Sequence, residues 1–355
     1  MTQDIVIVGA GIAGLTAALC LQQAGREVQV FDAATSVGGR VQAVRDASGQ
    51  PMADLGPSWI WPRWQPVFRH WVDRLSLDEF AQFDDGDAVL EGFGGPPRRQ
   101  KLLGQDGLSR LRGGPSALVQ ALGDRLVPGT VTCRAEVVAV RPVGRALEVV
   151  FADTRKCRAK TVVLATPLRR TAESIQIDGL SEDMRTAMVR TPTWMAQQAK
   201  AVIIYDRPFW REAGLSGRVA SRLGPLIEVH DHSPFGSETG ALFGFVGWDA
   251  TARAAQPDGL KAAILAQLGG VFGPRATTPA LLKLQDWAQS RHICAASDLR
   301  DPPRHPDVGP PILRAGHLAD RLWFAVSETA ALSPGLIEGA LAAGESTAAA
   351  ILRQN

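Results

Sequence analysis

The chain has 355 residues, 45% of them hydrophobic and 21% charged, with a formal net charge of +2. That length holds one large or two ordinary domains around a sizeable core. The near-balanced charge gives no general pull toward nucleic acid or an anionic membrane. The four cysteines, Cys20, Cys133, Cys157 and Cys294, stand at none of the spacings of a zinc site or a redox pair, so no metal is expected. Few, scattered cysteines fit a reducing compartment. The N-terminus lacks a basic region followed by a long apolar one, and no apolar run reaches the length of a membrane span. A cytoplasmic protein is expected.

Asp4–Val8 is a continuous apolar run, as in a parallel strand covered on both faces. Gly9-Ala-Gly11-Ile-Ala13-Gly14 follows. Leu15, Ala18, Leu19 and Gln22 then recur at helical spacing, and Gly25 can end the helix. Glu27–Phe31 reads as a second strand, ending at Asp32. This is the strand–turn–helix–strand unit of a dinucleotide fingerprint. Gly9 permits the tight turn, Gly11 lets backbone approach a pyrophosphate, and Gly14 lets the helix lie close to the strand. The helix start offers free N–H groups and a positive dipole end to phosphate. Asp32 stands 18 positions after Gly14, near the spacing of a carboxylate that accepts ribose hydroxyls.

Gly38-Gly39-Arg40 follows the acid, with an arginine able to reach a pyrophosphate from the side opposite the helix. Asp54-Leu55-Gly56-Pro57-Ser58-Trp59 comes next. Strand, acid, Gly-Gly-Arg and this last element, in that order, resemble the flavin amine oxidase family within the glutathione-reductase-like FAD fold. The family usually has Glu where Asp32 stands, one methylene longer. The resemblance implies an α/β protein with a Rossmann-like FAD-binding domain and a second, mixed domain built on an antiparallel sheet. It implies non-covalent FAD held by Gly9, Gly11, Ala13, Gly14, Asp32, Gly39, Arg40 and the stretch Gly56, Pro57, Ser58, Trp59.

The family resemblance continues along the chain. Gly113-Gly114 resembles the family's Gly-Gly opening of a helix. Val131–Val140 reads as one strand, on which Val137 corresponds to a valine that contacts adenine through its backbone. Thr161–Pro167 is a buried strand and turn near the cofactor. Lys200 lies eight positions before the proline of Pro208-Phe209-Trp210, the family's offset for a strand lysine that holds a water at flavin N5. The unassisted reading of such a lysine is an exposed strand edge. Trp287 stands where the family often has a tryptophan near the flavin. Arg321–Val326 reads as a strand leading to Glu328, whose family counterpart contacts the ribityl or phosphate region. A helix starting near Gly335 points its N-terminus, with Leu336 and Ile337, at the pyrimidine ring, where its dipole would stabilise negative charge.

Three departures bear on chemistry. Relatives often hold the amine between two rings, but Leu336 occupies one of those positions and the chain has one tyrosine, Tyr205. The segment from Trp59 to Gly113 is shorter than in long relatives, which implies a more open site or one completed by a second subunit of a homo-oligomer. Cys294, seven positions after Trp287, is not at the offset of a covalent tether, and a buried or half-buried thiol is expected. His230 and His232 alternate, which on a strand puts both rings on one face. Without a third ligand a surface loop or strand is expected. Pro97–Lys101 reads as a solvated loop.

The expected partition is a cofactor domain of residues 1–60, 113–167 and 288–355, and a substrate domain of 61–112 and 168–287. The expected reaction is oxidation of an amine C–N bond to an imine, then aldehyde and ammonia, with O2 reduced to H2O2. Two alternatives stand beside it: a C–C desaturase of the protoporphyrinogen-oxidase kind or a renalase-like oxidase of reduced nicotinamides, and a non-catalytic FAD-binding subunit. The expected partner is a small molecule, preferably an amine, with no nucleic acid and no membrane.

Overall fold

The computed structural model describes residues 2–103 and 107–354. Two large sheets organise them. In the first, of eight strands, Thr2–Val8 runs parallel between Val28–Phe31 and Lys156–Leu164. Its alternation explains the unbroken apolar run. Ile5 and Ile7 pack with the helix Ile12–Gln23 on one face, while Val6 and Val8 join a separate cluster on the other. Lys156–Leu164 also pairs in parallel with Leu322–Phe324, and antiparallel with Ala146–Phe151, which continues into Val137–Val143.

Helix Ile12–Gln23 lies against the C-terminal helix Ile337–Leu352. Gly344 makes that approach possible, since a Cβ there would sit 2.6 Å from the carbonyl oxygen of Ala13. The start of a third helix, Pro66–Leu75, is capped from a distance: Glu338 accepts the N–H groups of Val67 at 3.1 Å and Phe68 at 2.6 Å.

The second sheet has seven strands, in the order Leu281–Asp286, Ala199–Tyr205, Gly240–Val246, Leu226–Asp231, Leu215–Ser221, Asp87–Glu91, Arg98–Gln100. Its neighbours are antiparallel except Leu215–Ser221 with Asp87–Glu91. Ala199–Tyr205 is buried on both faces. Ala199, Ala201, Ile203 and Tyr205 pack toward the helix Pro257–Phe272, and Val202 and Ile204 toward the small hairpin of Ala43–Arg45 and Pro51–Asp54. Period-two alternation puts Lys200 on the hairpin side, facing the first sheet's layers.

Three local expectations change. Val131–Val140 is two strands, because Arg134 takes a left-handed φ of 57° and turns the chain. Val131–Thr132 extends the parallel edge, and Val137–Val143 starts the antiparallel part. Pro97–Lys101 contains the exposed edge strand Arg98–Gln100. Residues 168–190, expected with the substrate domain, put Leu168, Ile177, Met184 and Met188 into the first sheet's cluster, where their apolar faces find cover. Among the described residues, no helix is long and apolar enough to cross a membrane.

Candidate functional site

A cavity of about 530 Å³ opens where the two sheets meet. One end is built by the first strand–helix turn. Gly9 has φ 108°, and a Cβ there would lie 2.6 Å from the carbonyl oxygen of Ala165. At Gly14 a Cβ would lie 2.0 Å from Gly9 O, so the helix cannot pack with any side chain there. Gly11 is different. A Cβ would meet only Gly38 O, at 3.9 Å, and the residue faces the cavity. Its missing side chain leaves room for something other than protein. Ile12 and Ala13 bring the helix N-terminus to the same wall.

Asp32 fixes this turn. One carboxylate oxygen accepts the Ala10 N–H at 2.7 Å and the other the Ala34 N–H at 2.8 Å, and the group still borders the cavity beside Val137. Gly39 and Arg40 line the neighbouring wall. The Arg40 guanidinium forms a two-pronged pair with Glu328, at 2.6 and 2.9 Å, and donates to Ser327 Oγ at 2.7 Å. Glu328 is buried behind the wall. Burial would raise its pKa, but Arg40, Ser327 and the Trp194 N–H more than offset this and hold the carboxyl below the usual range.

The far end holds Gly56, Pro57, Ser58, Trp59, Lys200, Trp287, Leu336 and Ile337, the last two at the start of the C-terminal helix. Lys200 is 3% exposed, so the exposed-edge reading fails. Its ammonium donates to Gly56 O at 2.9 Å and to Ser58 Oγ, and lies 4.0 Å from the Phe243 ring centre. Burial pushes its pKa down, the negative charge of Asp54 pulls it back up, and the balance stays below the ordinary lysine value.

All the candidate residues therefore meet at one cavity, except that Gly14 and Glu328 shape it from behind. Residues 7–75 match a family described as an NAD(P)-binding Rossmann-like domain, and residues 88–352 match the family of flavin containing amine oxidoreductases. The chain belongs to the flavin-containing amine oxidoreductases. A probable flavin-containing monoamine oxidase A of Dictyostelium discoideum is 22% identical over 449 aligned residues, covering 96% of this chain and 95% of that protein. An L-amino-acid oxidase of Echis ocellatus is 44% identical over 85 residues, 23% of this chain and 17% of that protein. Among solved structures, a putrescine oxidase variant redesigned in cofactor binding superposes with a TM-score of 0.83 at 21% identity, covering 100% of this chain and 99% of that one. Cyclohexylamine oxidase from Brevibacterium oxydans gives 0.83 at 17% identity, with 100% and 99% coverage. These likenesses show the shared fold.

As a member of this family the protein is an oxidoreductase that uses a flavin, and the open side of Gly11 and the helix start beside it fit such a group. The cavity is also lined by residues that sequence motifs do not reveal. Phe243 and Phe245 alternate on the strand next to that of Lys200, with Lys200 opposite Phe245. Their spacing was a usable signal. Trp194, which lines the cavity and meets the His305 ring at 4.7 Å in a tilted arrangement, sits in a connection with no motif. Of the crowded tryptophans, Trp61 lines the cavity, Trp64 is exposed and Trp71 is core.

The two alternating histidines are not on a surface. His230 and His232 are both buried, with their rings 5.3 and 5.0 Å from Phe243, because the strand Leu226–Asp231 lies inside the second sheet. Among the described residues no three side chains are grouped as metal ligands. Cys294 is buried behind Trp287, and burial pushes its thiol up to about 12.

Proposed function

We propose that the protein binds FAD without a covalent bond and oxidises the C–N bond of a small amine. The imine would hydrolyse to aldehyde and ammonia, and O2 would be reduced to H2O2. The observation that supports this reading best is the continuity of one cavity from the Gly9–Gly14 turn to Lys200. The Asp32 end suits a ribose and the Val137 backbone an adenine. The Gly11 helix start suits the diphosphate, with Gly39 and Arg40 opposite. The first sheet and its helices would carry the cofactor, and the second sheet would close the substrate side.

When bound, the flavin supplies the acceptor for the electrons and hydrogen of the C–N bond. The chain's own residues do the rest. Lys200, held by Gly56 O and Ser58 Oγ, would position a water where the reacting edge of the flavin would lie. Trp59, Phe243, Phe245 and Trp287 keep that end apolar, which favours the neutral amine over its ammonium. The N-terminus of Ile337–Leu352, whose Leu336 and Ile337 line the cavity, would offer its free N–H groups to negative charge developing on the bound group. The four free cysteines agree with work in the cytoplasm.

Anaerobic titration of the purified protein with a panel of amines tests this. Bleaching of the oxidised-flavin bands by a primary amine, reversed by air with peroxide release, is expected. Flavin that no amine reduces would end the amine reading and turn attention to C–C and reduced-nicotinamide donors, a course that Leu336 in place of a ring already motivates.

A further inference from the structure

Lys200 does not stand alone at its end of the cavity. It comes from an interior strand of the second sheet, where Phe245 and Gln285 are its partners on either side. Ser58 comes from the loop after the strand Pro51–Asp54. That loop is held at both ends. Leu55 N–H donates to Gln42 O at 2.8 Å, and Ile60 exchanges backbone bonds with Ser109 at 3.0 and 2.9 Å. Gly56 packs so closely that a Cβ would lie 2.0 Å from Arg40 O, and the ring of Pro57 fixes its φ. Both side chains are therefore on rigid supports. Both residues border the cavity, Ser58 5% and Lys200 3% exposed.

The direction of the hydrogen bond between them follows from their chemistry. An ammonium has three donors and no lone pair. Lys200 Nζ therefore donates to Gly56 O at 2.9 Å and to Ser58 Oγ, and the Phe243 ring, with its centre 4.0 Å away, covers a further side. At most one N–H is left. Ser58 stands the other way round. Its Oγ accepts in its one side-chain hydrogen bond, so its own proton is still to be placed, and among the described residues none accepts it.

That proton is a strong donor. Accepting from a cation polarises the hydroxyl, and a hydrogen bond that it makes in turn is strengthened. A buried donor left unpaired is costly. The space that can supply an acceptor is the cavity that Ser58 borders, where the rings of Trp59, Phe243, Phe245 and Trp287 offer none. The acceptor must then come with what fills the cavity.

We propose that the Ser58 hydroxyl holds the water at the reacting edge of the flavin, and that Lys200 is a positioning residue that aims and polarises that hydroxyl. The water accepts from Ser58 Oγ–H and keeps both of its own hydrogens to donate, one of them to flavin N5. Lys200, Ser58 and the water form a chain of donors that all point one way, because the ammonium at its head can only donate. The proposal rests on the reading that the Lys200 end of the cavity meets the reacting edge, and it changes which side chain touches the water.

The test is spectroscopic and needs no substrate, so it stands apart from any failure of an amine to reduce the flavin. The protein is reconstituted with FAD carrying 15N at N5, and the N5 resonance is recorded by NMR at about pH 6. Burial lowers the Lys200 amine to about 7 against the pull of Asp54, so it is an ammonium there. The same flavin in water and in an aprotic solvent supplies the two reference values. Wild type is expected near the hydrogen-bonded value. Ser58→Ala is expected to move toward the aprotic one, Ser58→Thr to stay with wild type, and Lys200→Met to fall between. A wild-type resonance at the aprotic value overturns the proposal at once. An unmoved Ser58→Ala beside a shifted Lys200→Met would mean that the spare N–H of Lys200 holds the water, which overturns the proposal while the reading of the site stands. If neither variant moves, the Lys200 end does not meet N5 and both fall. Ser58→Thr matching Ser58→Ala would mark an effect of packing and overturn the proposal as well. Should Ser58→Ala not retain flavin, Ser58→Cys, a weak donor of similar size, takes its place.

Discussion

Arg40 and Glu328, 288 positions apart, meet in a two-pronged ion pair with Nη1–Oε1 at 2.6 Å and Nη2–Oε2 at 2.9 Å. The pair ties the loop after the first nucleotide-type unit to the turn after the last strand of the same sheet. The Trp194 N–H joins it at 3.1 Å and Ser327 Oγ donates to Glu328 at 2.7 Å, so three distant segments close one wall of the cavity. Replacing Glu328 by Gln leaves the guanidinium without its counter-charge. A loss of about 3 kcal/mol is expected, at the low end for a buried pair because Arg40 keeps 22% side-chain exposure. The midpoint of urea unfolding measures it.

The same pair has a pH signature. The folded carboxyl lies below its unfolded value, so its stabilisation is present above the ordinary glutamate range and is lost as pH falls through that range and below it. Wild-type stability should therefore decline with acidification more steeply than that of Glu328→Gln. Parallel curves for the two proteins from pH 7 to pH 3 would contradict the argument.

Two glycines in one motif should fail differently. Gly14→Ala drives a methyl to 2.0 Å from Gly9 O, inside packed backbone, and should cost about 1–3 kcal/mol or prevent folding. Gly11→Ala places its methyl in the cavity, 3.9 Å from the nearest protein atom, so thermal stability of the flavin-free protein should hold while flavin content falls. Thermal melts of the flavin-free protein, with the ratio of flavin to protein absorbance after reconstitution, separate the two outcomes.

Lys200→Met keeps the volume of the buried stem and removes its donors to Gly56 and Ser58. Flavin should remain bound, because the dinucleotide end of the cavity is untouched. The rate of flavin reduction by the best amine should fall about 100-fold, the lower range for losing a positioned proton-handling group. Stopped-flow absorbance reads that rate apart from oxygen reactivity.

How far the sequence could be read follows from where its information lies. The Gly9–Gly14 turn and Asp32 are local: their spacing in the chain is their geometry in space, and the strand–helix–strand unit appeared as read. Lys200 was legible through its offset from Pro208-Phe209-Trp210, and its burial between Gly56, Ser58 and Phe243 was not. That burial depends on pairing with Gly240–Val246 and on the hairpin that packs over it. Val131–Val140 misled because its apolar pattern carries no mark of the left-handed Arg134. His232 misled for a related reason. Two alternating histidines look alike on an exposed or an interior strand, and only the sheet order distinguishes them.

The final prediction concerns Cys294, which sits beside Ala196 and behind the cavity-lining Trp287. Attachment of a cofactor through sulfur requires thiolate. Burial, with the nearby carboxylates of Asp298, Asp286 and Glu173, pushes this thiol up to about 12, so almost none is ionised near neutral pH. Its Sγ–H also points to the carbonyl oxygen of Ala295 at 3.6 Å. Acid precipitation should therefore release all the flavin into the supernatant, and a disulfide-exchange reagent at pH 8 should label Cys294 only after denaturation. Yellow colour retained in the pellet of wild type and absent from Cys294→Ser would show instead that the thiol is ionised and bonded.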